Sequence, residues 1–318
     1  MLKKALIRPL LIVAAFICGA IFPKLGEATF VIRYFLIVML YFIYLPLDIK
    51  TLKLHKSQFV LTGANILIGV AAWYIAGLTG DKALADAAFF AAITPTASAA
   101  PVIMKFLGGN VSYIITGFVV TNTLVSTALF FMLPLMITGE VNPAGFLKAA
   151  VNLVILIGSP AILALITRKI HPASVEWAKK CGNLSFILWV ILLCVISGSA
   201  MKFFYAHPNI SYKYYIVIAG ISLLICAVNF GLGYLIGGKQ FAREASQTLG
   251  QKNTTFTIVL ASTFSSPLAA MGPTFYVLWH NLWNALQLFI HDRKAAKKAA
   301  AELNNNQNQE DHHVEQRS

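Results

Sequence analysis

Apolar residues run through this chain in blocks of about twenty, the length a helix needs to cross the hydrocarbon core of a bilayer. The stretches between the blocks are short and hold most of its lysines and arginines. That pattern predicts spans near 5–22, 30–47, 57–79, 84–107, 111–137, 145–167, 182–203, 213–237, 241–263 and 266–290. The expected fold class is an all-α polytopic membrane protein of about ten transmembrane helices, with loops too short for a soluble domain. Met1 to Ile21 has the basic start and apolar run of a secretory signal, but equally apolar runs follow it, so it reads as a retained first span. Cys18 follows Ala15-Phe16-Ile17, a poor context for lipoprotein cleavage.

Composition strengthens this reading. Of 318 residues, 58% are hydrophobic and 12% charged, more apolar surface than a soluble core can bury, so the surplus faces lipid. The formal charge of +13 is a topology signal, not a nucleic-acid surface, because the cations sit in the loops. With a cytoplasmic start, eighteen basic residues fall on the inside, including Lys50, Lys105, Lys239 and Arg243, and six outside, including Arg33 and Lys202. That bias places both termini in the cytoplasm and the protein in the inner membrane. After residue 290, an Ala/Lys-rich stretch extends the last helix, and polar Asn304 to Ser318 is expected to be a disordered tail. His312 and His313 in that tail read as solvated residues. Residues 1–290 thus form one transmembrane domain and 291–318 a cytoplasmic appendage, in a monomer or weak oligomer. Cys18, Cys181, Cys194 and Cys226 are scattered and imply neither a disulfide framework nor a metal site.

Two spans break the rule of continuous apolar helix. The fourth contains Thr94-Pro95-Thr96-Ala97-Ser98-Ala99-Ala100-Pro101, where each proline removes a backbone donor and clashes with the preceding turn. The ninth contains Ser246-Gln247-Thr248-Leu249-Gly250-Gln251-Lys252-Asn253-Thr254-Thr255, mostly hydrogen-bonding side chains. Such backbone survives at mid-membrane only inside protein or beside a watery cavity. Pro95, Pro101 and Gly250 are the expected helix breakers, Gly250 through backbone freedom. Lys252 is the one charge near the centre of a span, at a cost of about 2.5–3.5 kcal/mol. No acidic residue is an obvious mate, so an exogenous small organic anion is the expected partner, helped by the positive end of a half-helix. Each break lies in the second-last span of a five-span half, as in a 5+5 inverted repeat whose fourth and ninth helices cross. Candidate solute contacts are Thr94, Thr96 and Ser98 at the first break, and Gln251, Lys252, Asn253, Thr254 and Thr255 at the second. Asn122, His280, Asn281 and Asn284 follow, with packed core positions as the competing reading for the tenth-span residues.

These residues resemble the bile acid:sodium symporter family, within the larger group that includes arsenite permeases and auxin-type carriers. Thr96-Ala97-Ser98 followed by Gly109-Asn110-Val111 is similar to its fourth-span motif, and Leu249-Gly250-Gln251-Lys252-Asn253 to its ninth-span motif. The resemblance implies a core of spans three to five and eight to ten moving against a panel of spans one, two, six and seven, with solute bound between them. It also implies sodium ligands that this chain lacks: Thr248 and Lys252 stand where relatives carry Glu and Gln, and Ala100, Pro101, Ile114 and Phe118 stand at other ligand positions. The implied carrier is therefore an atypical member, with Lys252 occupying a sodium position and serving as the coupling residue, sodium-independent or proton-coupled. The alternative is a sodium-coupled symporter with a shifted site drawn from Asn65, Ser98, Thr121, Asn122, Gln251 and Asn253. No other cofactor and no metal is expected.

Other functions fit less well. An arsenite permease of this kind places a reactive Cys in the fourth span, where this chain has none. A sodium/proton antiporter wants a mid-membrane Asp, and Asp86 opens its span. Opposed broken helices suit alternating access better than a channel. An intramembrane Ser/Lys hydrolase built on Ser246 and Lys252 lacks any supporting His or carboxylate cluster and the Gly-x-Ser-x-Gly motif, and no enzymatic activity is expected.

Overall fold

The computed structural model describes residues 2–47, 52–138, 143–180, 182–206, 208 and 211–315; Lys50, Cys181 and Arg317 lie outside them. Twelve α-helices are described: α1 (Leu2–Ile21), α2 (Thr29–Tyr44), α3 (Lys56–Gly77), α4 (Lys82–Ile93), α5 (Ala100–Phe106), α6 (Val111–Leu133), α7 (Pro143–Ile170), α8 (Ser174–Lys180), α9 (Gly182–Ala206), α10 (Tyr212–Gly250), α11 (Thr254–Phe264) and α12 (Pro267–Glu315). Lys56–Gly77, Val111–Leu133, Leu184–Ala206 and Tyr212–Gly250 are long and apolar enough to cross a membrane. Leu10, Phe30, Leu67, Ile216 and Leu235 are exposed on the helix surfaces, where only lipid would cover them favourably. The chain is an all-α membrane protein.

Local sequence explains the interruptions. α4 ends at Ile93 because Pro95 excludes a helical conformation from the residue before it, and Thr94 is extended at φ −52°, ψ 129°. Pro101 is not an interior breaker; it sits in the first turn of α5, where its missing N–H costs nothing. The turn expected between residues 237 and 241 is a sharp kink inside α10, with Gly238 at φ 57° and Phe241 at φ −130°. There the chain folds back so closely that Gly233 and Gly237 rest on Ala242, Ala245 and Ser246. α12 continues to Glu315, past Asn304, where composition predicts a disordered tail; the alanines of residues 295–301 are the strongest helix formers available and carry the helix onward.

The helices pack in two groups. α1, α2, α7 and α9 pack on one another, with Gly19 and Gly26 against Ser197 to Ser199 allowing close backbone approach. α3 to α6 and α10 to α12 form the other group, in which α4 lies between α3, α10 and α12. The groups meet where α1 touches α12 and α2 touches α5. One end of that seam is filled by an apolar cluster in which Met39, Leu192 and Leu193 meet Met104, Ile114 and Leu288. Phe106, Phe186 and Trp189 form an aromatic triangle there, with centroids 5.7, 6.0 and 6.1 Å apart.

Candidate functional site

The two interruptions meet face to face. Thr96 and Lys252 form an isolated antiparallel bridge. The Ala97 N–H donates to the Gln251 carbonyl at 2.8 Å, and the Asn253 N–H donates to the Pro95 carbonyl at 2.8 Å. Each broken helix thereby supplies partners for the backbone groups that the other leaves open, the condition for irregular backbone away from water.

Side chains lock this crossing. Thr96 Oγ1 donates to the Thr248 carbonyl and receives a 2.7 Å hydrogen bond from Thr121 Oγ1. Asn122 Nδ2 donates to the Thr96 and Phe118 carbonyls at 2.9 Å each. Thr94 and Thr257 share a 2.8 Å hydroxyl contact. Tyr276 donates to the Gly250 carbonyl at 2.9 Å. Thr94, Thr96 and Asn122, expected to touch solute, are buried in this lock and do not line the cavity described below. Gly250 stands at the break as expected, but for a different reason. Its φ is not positive, and any side chain would fall on the Phe230 ring, so space and not conformational freedom requires glycine.

Lys252 is fully buried at 2% exposure. Its ammonium donates to Asn65 Oδ1 and, at 3.1 Å, to the Ala92 carbonyl. Asn65 is oriented for this by donating Nδ2 to the Ile93 and Thr94 carbonyls at 3.3 and 3.1 Å. The charge therefore points into the helix core, and its partners are neutral oxygens of α3 and α4. Lys252, expected to meet an exogenous anion, lines the smaller chamber with its ammonium held by these protein oxygens.

A cavity of about 590 Å³ lies beside the crossing, between α2 and α9 on one wall and α11 and α12 on the other. Ser98, Asn253, Thr254 and Thr255, four of the candidate solute contacts, line it. A smaller chamber of about 70 Å³ shares these four and adds Gln251, His280, Asn281 and part of Lys252. Gln251 is tied by the Asn284 amide at 2.5 Å, and Asn284 also accepts from Gln247, so Asn284 is a core residue. The aromatic seal borders these chambers directly: Ile32 and Leu36 line the cavity and also pack against the seal, and the seal residues Trp189, Leu192 and Leu193 line the smaller chamber.

Of the alternative cation ligands, Ser98, Gln251 and Asn253 line the smaller chamber together. Asn65 is engaged with Lys252, Thr121 and Asn122 with Thr96, and Gln251 with Asn284. Ser246 donates to the Phe230 carbonyl at 2.8 Å while Lys252 bonds to Asn65, so the two form no dyad. Among the described residues, no cluster of His, Cys, Asp or Glu is placed to hold a metal.

Sequence reasoning missed three participants. Arg33 lines the cavity from α2, though its position reads as an outer-loop charge; an arginine one turn inside an apolar helix was the available signal. Asp86 and Glu244, which read as span ends, are buried clamps. Asp86 accepts from Lys82 at 2.9 Å, Trp73 at 3.2 Å and Ser265 just past α11 at 2.7 Å. Glu244 accepts from the Asn110 N–H just past α5 at 2.8 Å. No protein-family model matches this chain, and no curated protein matches it.

Proposed function

We propose that the chain is a secondary transporter that carries a small organic anion by alternating access. The observation that carries this reading is the antiparallel meeting of two helix interruptions, Thr96 against Lys252, beside a cavity sealed at one end. Interrupted helices that meet within a membrane protein present helix ends to a solute without exposing open backbone to lipid. The first turn of α11, with Asn253, Thr254 and Thr255, turns backbone donors and the positive helix end toward an anion.

On this reading the chain has ten spans in a 5+5 inverted repeat, α4 with α5 forming the fourth and the end of α10 with α11 the ninth. The two carboxylate clamps support the repeat. Each lies about two turns ahead of its break, and each holds the far end of the opposite broken helix, Asp86 at Ser265 and Glu244 at Asn110. Lys105 and Arg243 lie near the sealed end, so the bias of basic residues makes the cavity outward-facing, in the inner membrane, with both termini cytoplasmic. The chain is then an atypical relative of the bile acid:sodium symporters. The Lys252 ammonium, held by side-chain and backbone oxygens, replaces a coupling sodium ion.

Uptake of radiolabelled organic acids into proteoliposomes, with sodium and pH varied, tests this. Sodium-independent uptake is expected for the wild type, and Lys252→Gln is expected to lose it or to require sodium. Strict sodium dependence in the wild type would refute the ammonium's role, and absence of uptake for every acid under every gradient would refute the transporter.

A further inference from the structure

The cysteines are scattered in the sequence, but the fold brings two of them together. Cys18 lies in the last turn of α1, where its carbonyl accepts from the Phe22 N–H at 2.9 Å, and Cys194 lies in the middle of α9. The two side chains are hydrogen-bonding partners. Both are free thiols and both are partly exposed, whereas Cys226 is buried.

The backbones hold the pair in place. α1 packs along α9, the Ser197 hydroxyl donates to the Phe16 carbonyl at 2.7 Å, and a side chain at Gly19 would fall on the Cys194 carbonyl. Helices that touch backbone to backbone bring their β-carbons within the short reach that a disulfide requires, which helices held apart by larger side chains do not.

We propose that Cys18 and Cys194 are an oxidisable pair that closes into a disulfide and staples α1 to α9. The oxidant is a small disulfide, RSSR. The thiolate of one cysteine attacks a sulfur of RSSR, forming a mixed disulfide and releasing one RS⁻. The thiolate of the second cysteine then attacks the protein sulfur of that mixed disulfide and releases the other RS⁻. Two electrons pass from the cysteines to RSSR, and the two thiol protons leave with the two RSH. On α9 the bond falls between Leu192 and Leu193 of the seal and Ile196 and Ser199 of the cavity wall, so the staple fixes that wall to α1. The side of attack rests on the topology proposed above: with a cytoplasmic amino terminus, the last turn of α1 meets the outer, oxidising face.

The test treats the full chain in detergent, carrying Cys181→Ser, with the lipophilic disulfide 4,4′-dithiodipyridine. Cys18 and Cys194 should together release two thiopyridones and retain no pyridyl group, and the peptides that hold them should be recovered joined. Cys18→Ser should release one thiopyridone from Cys194 and keep the pyridyl group there. Oxidation should raise the unfolding temperature by several degrees, and a dithiol reductant should reverse the rise. If Cys18→Ser does not fold, peptide mapping of the parent chain still decides. Pyridyl groups retained on both residues, or a bridge that uses Cys226 instead, overturn the pair. In sealed vesicles of known orientation, the charged disulfide 5,5′-dithiobis(2-nitrobenzoate) should close the pair from the outer face alone. Closure from the inner face alone overturns the outer-face assignment and its topology, while uptake in proteoliposomes judges the transporter separately.

Discussion

The contact between Lys252 and Asn65 makes a quantitative prediction. Asn65→Ala removes the acceptor of a fully buried ammonium and leaves it one carbonyl, that of Ala92. Stripping a partner from a buried charge costs about 3–5 kcal/mol. Part of this belongs to the two neutral bonds from Asn65 Nδ2 to Ile93 and Thr94, which contribute about 0.5–1.5 kcal/mol each. In a Lys252→Met background there is no charge to strand, so Asn65→Ala should cost only the neutral bonds, about 1–3 kcal/mol. The double-mutant cycle should therefore yield a coupling on the order of 2 kcal/mol. Lys252→Met alone should cost little, because a methionine of similar length fills the space without a desolvation penalty. Unfolding in mixed micelles, followed by circular dichroism for all four proteins, measures these terms. Additivity within about 0.5 kcal/mol would mean that the ammonium does not depend on Asn65, and the stand-in for a coupling ion would fail with it.

Gly250→Ala should destabilise by about 1–3 kcal/mol through overlap with the Phe230 ring, and Phe230→Leu in the same chain should recover part of the loss; no recovery would return the requirement to backbone conformation. Asp81 caps α4 by accepting from the Ala83 and Leu84 N–H groups, and its carboxyl is held below its ordinary value of 3.8, chiefly by the Tyr214 hydroxyl. Its contribution is therefore present above that value and lost as the pH falls below it. Asp81→Ala should lower stability near neutral pH by roughly 1 kcal/mol and flatten the acid limb of the melting curve, and an unchanged limb would contradict this. Phe106→Ala opens the aromatic triangle, so in a variant keeping Trp189 as its sole tryptophan, iodide should quench it more strongly; unchanged quenching would show that Phe106 does not seal that end.

Sequence alone determined the helical class, the lipid-facing character and the positions of both interruptions. These follow from local physics. Apolar runs of about twenty residues have few other solutions, Pro95 stops a helix wherever it occurs, and the polar run from Ser246 to Thr255 cannot face lipid. Ser98, Asn253, Thr254 and Thr255 were legible as cavity residues for the same reason. Which way Lys252 points was not legible, because a four-carbon stem can carry its charge to either side of a helix crossing, and the choice depended on Asn65, far away in the chain. Thr94, Thr96 and Asn122 were polar enough to bind solute, yet tertiary packing gave their hydrogen bonds to the crossing itself. Arg33, Asp86 and Glu244 read as loop or end charges until the fold set the first against a cavity and closed the other two around the ends of the broken helices. Periodicity and composition record what each segment needs, but the partner of a charge is a three-dimensional neighbour, and only packing selects it.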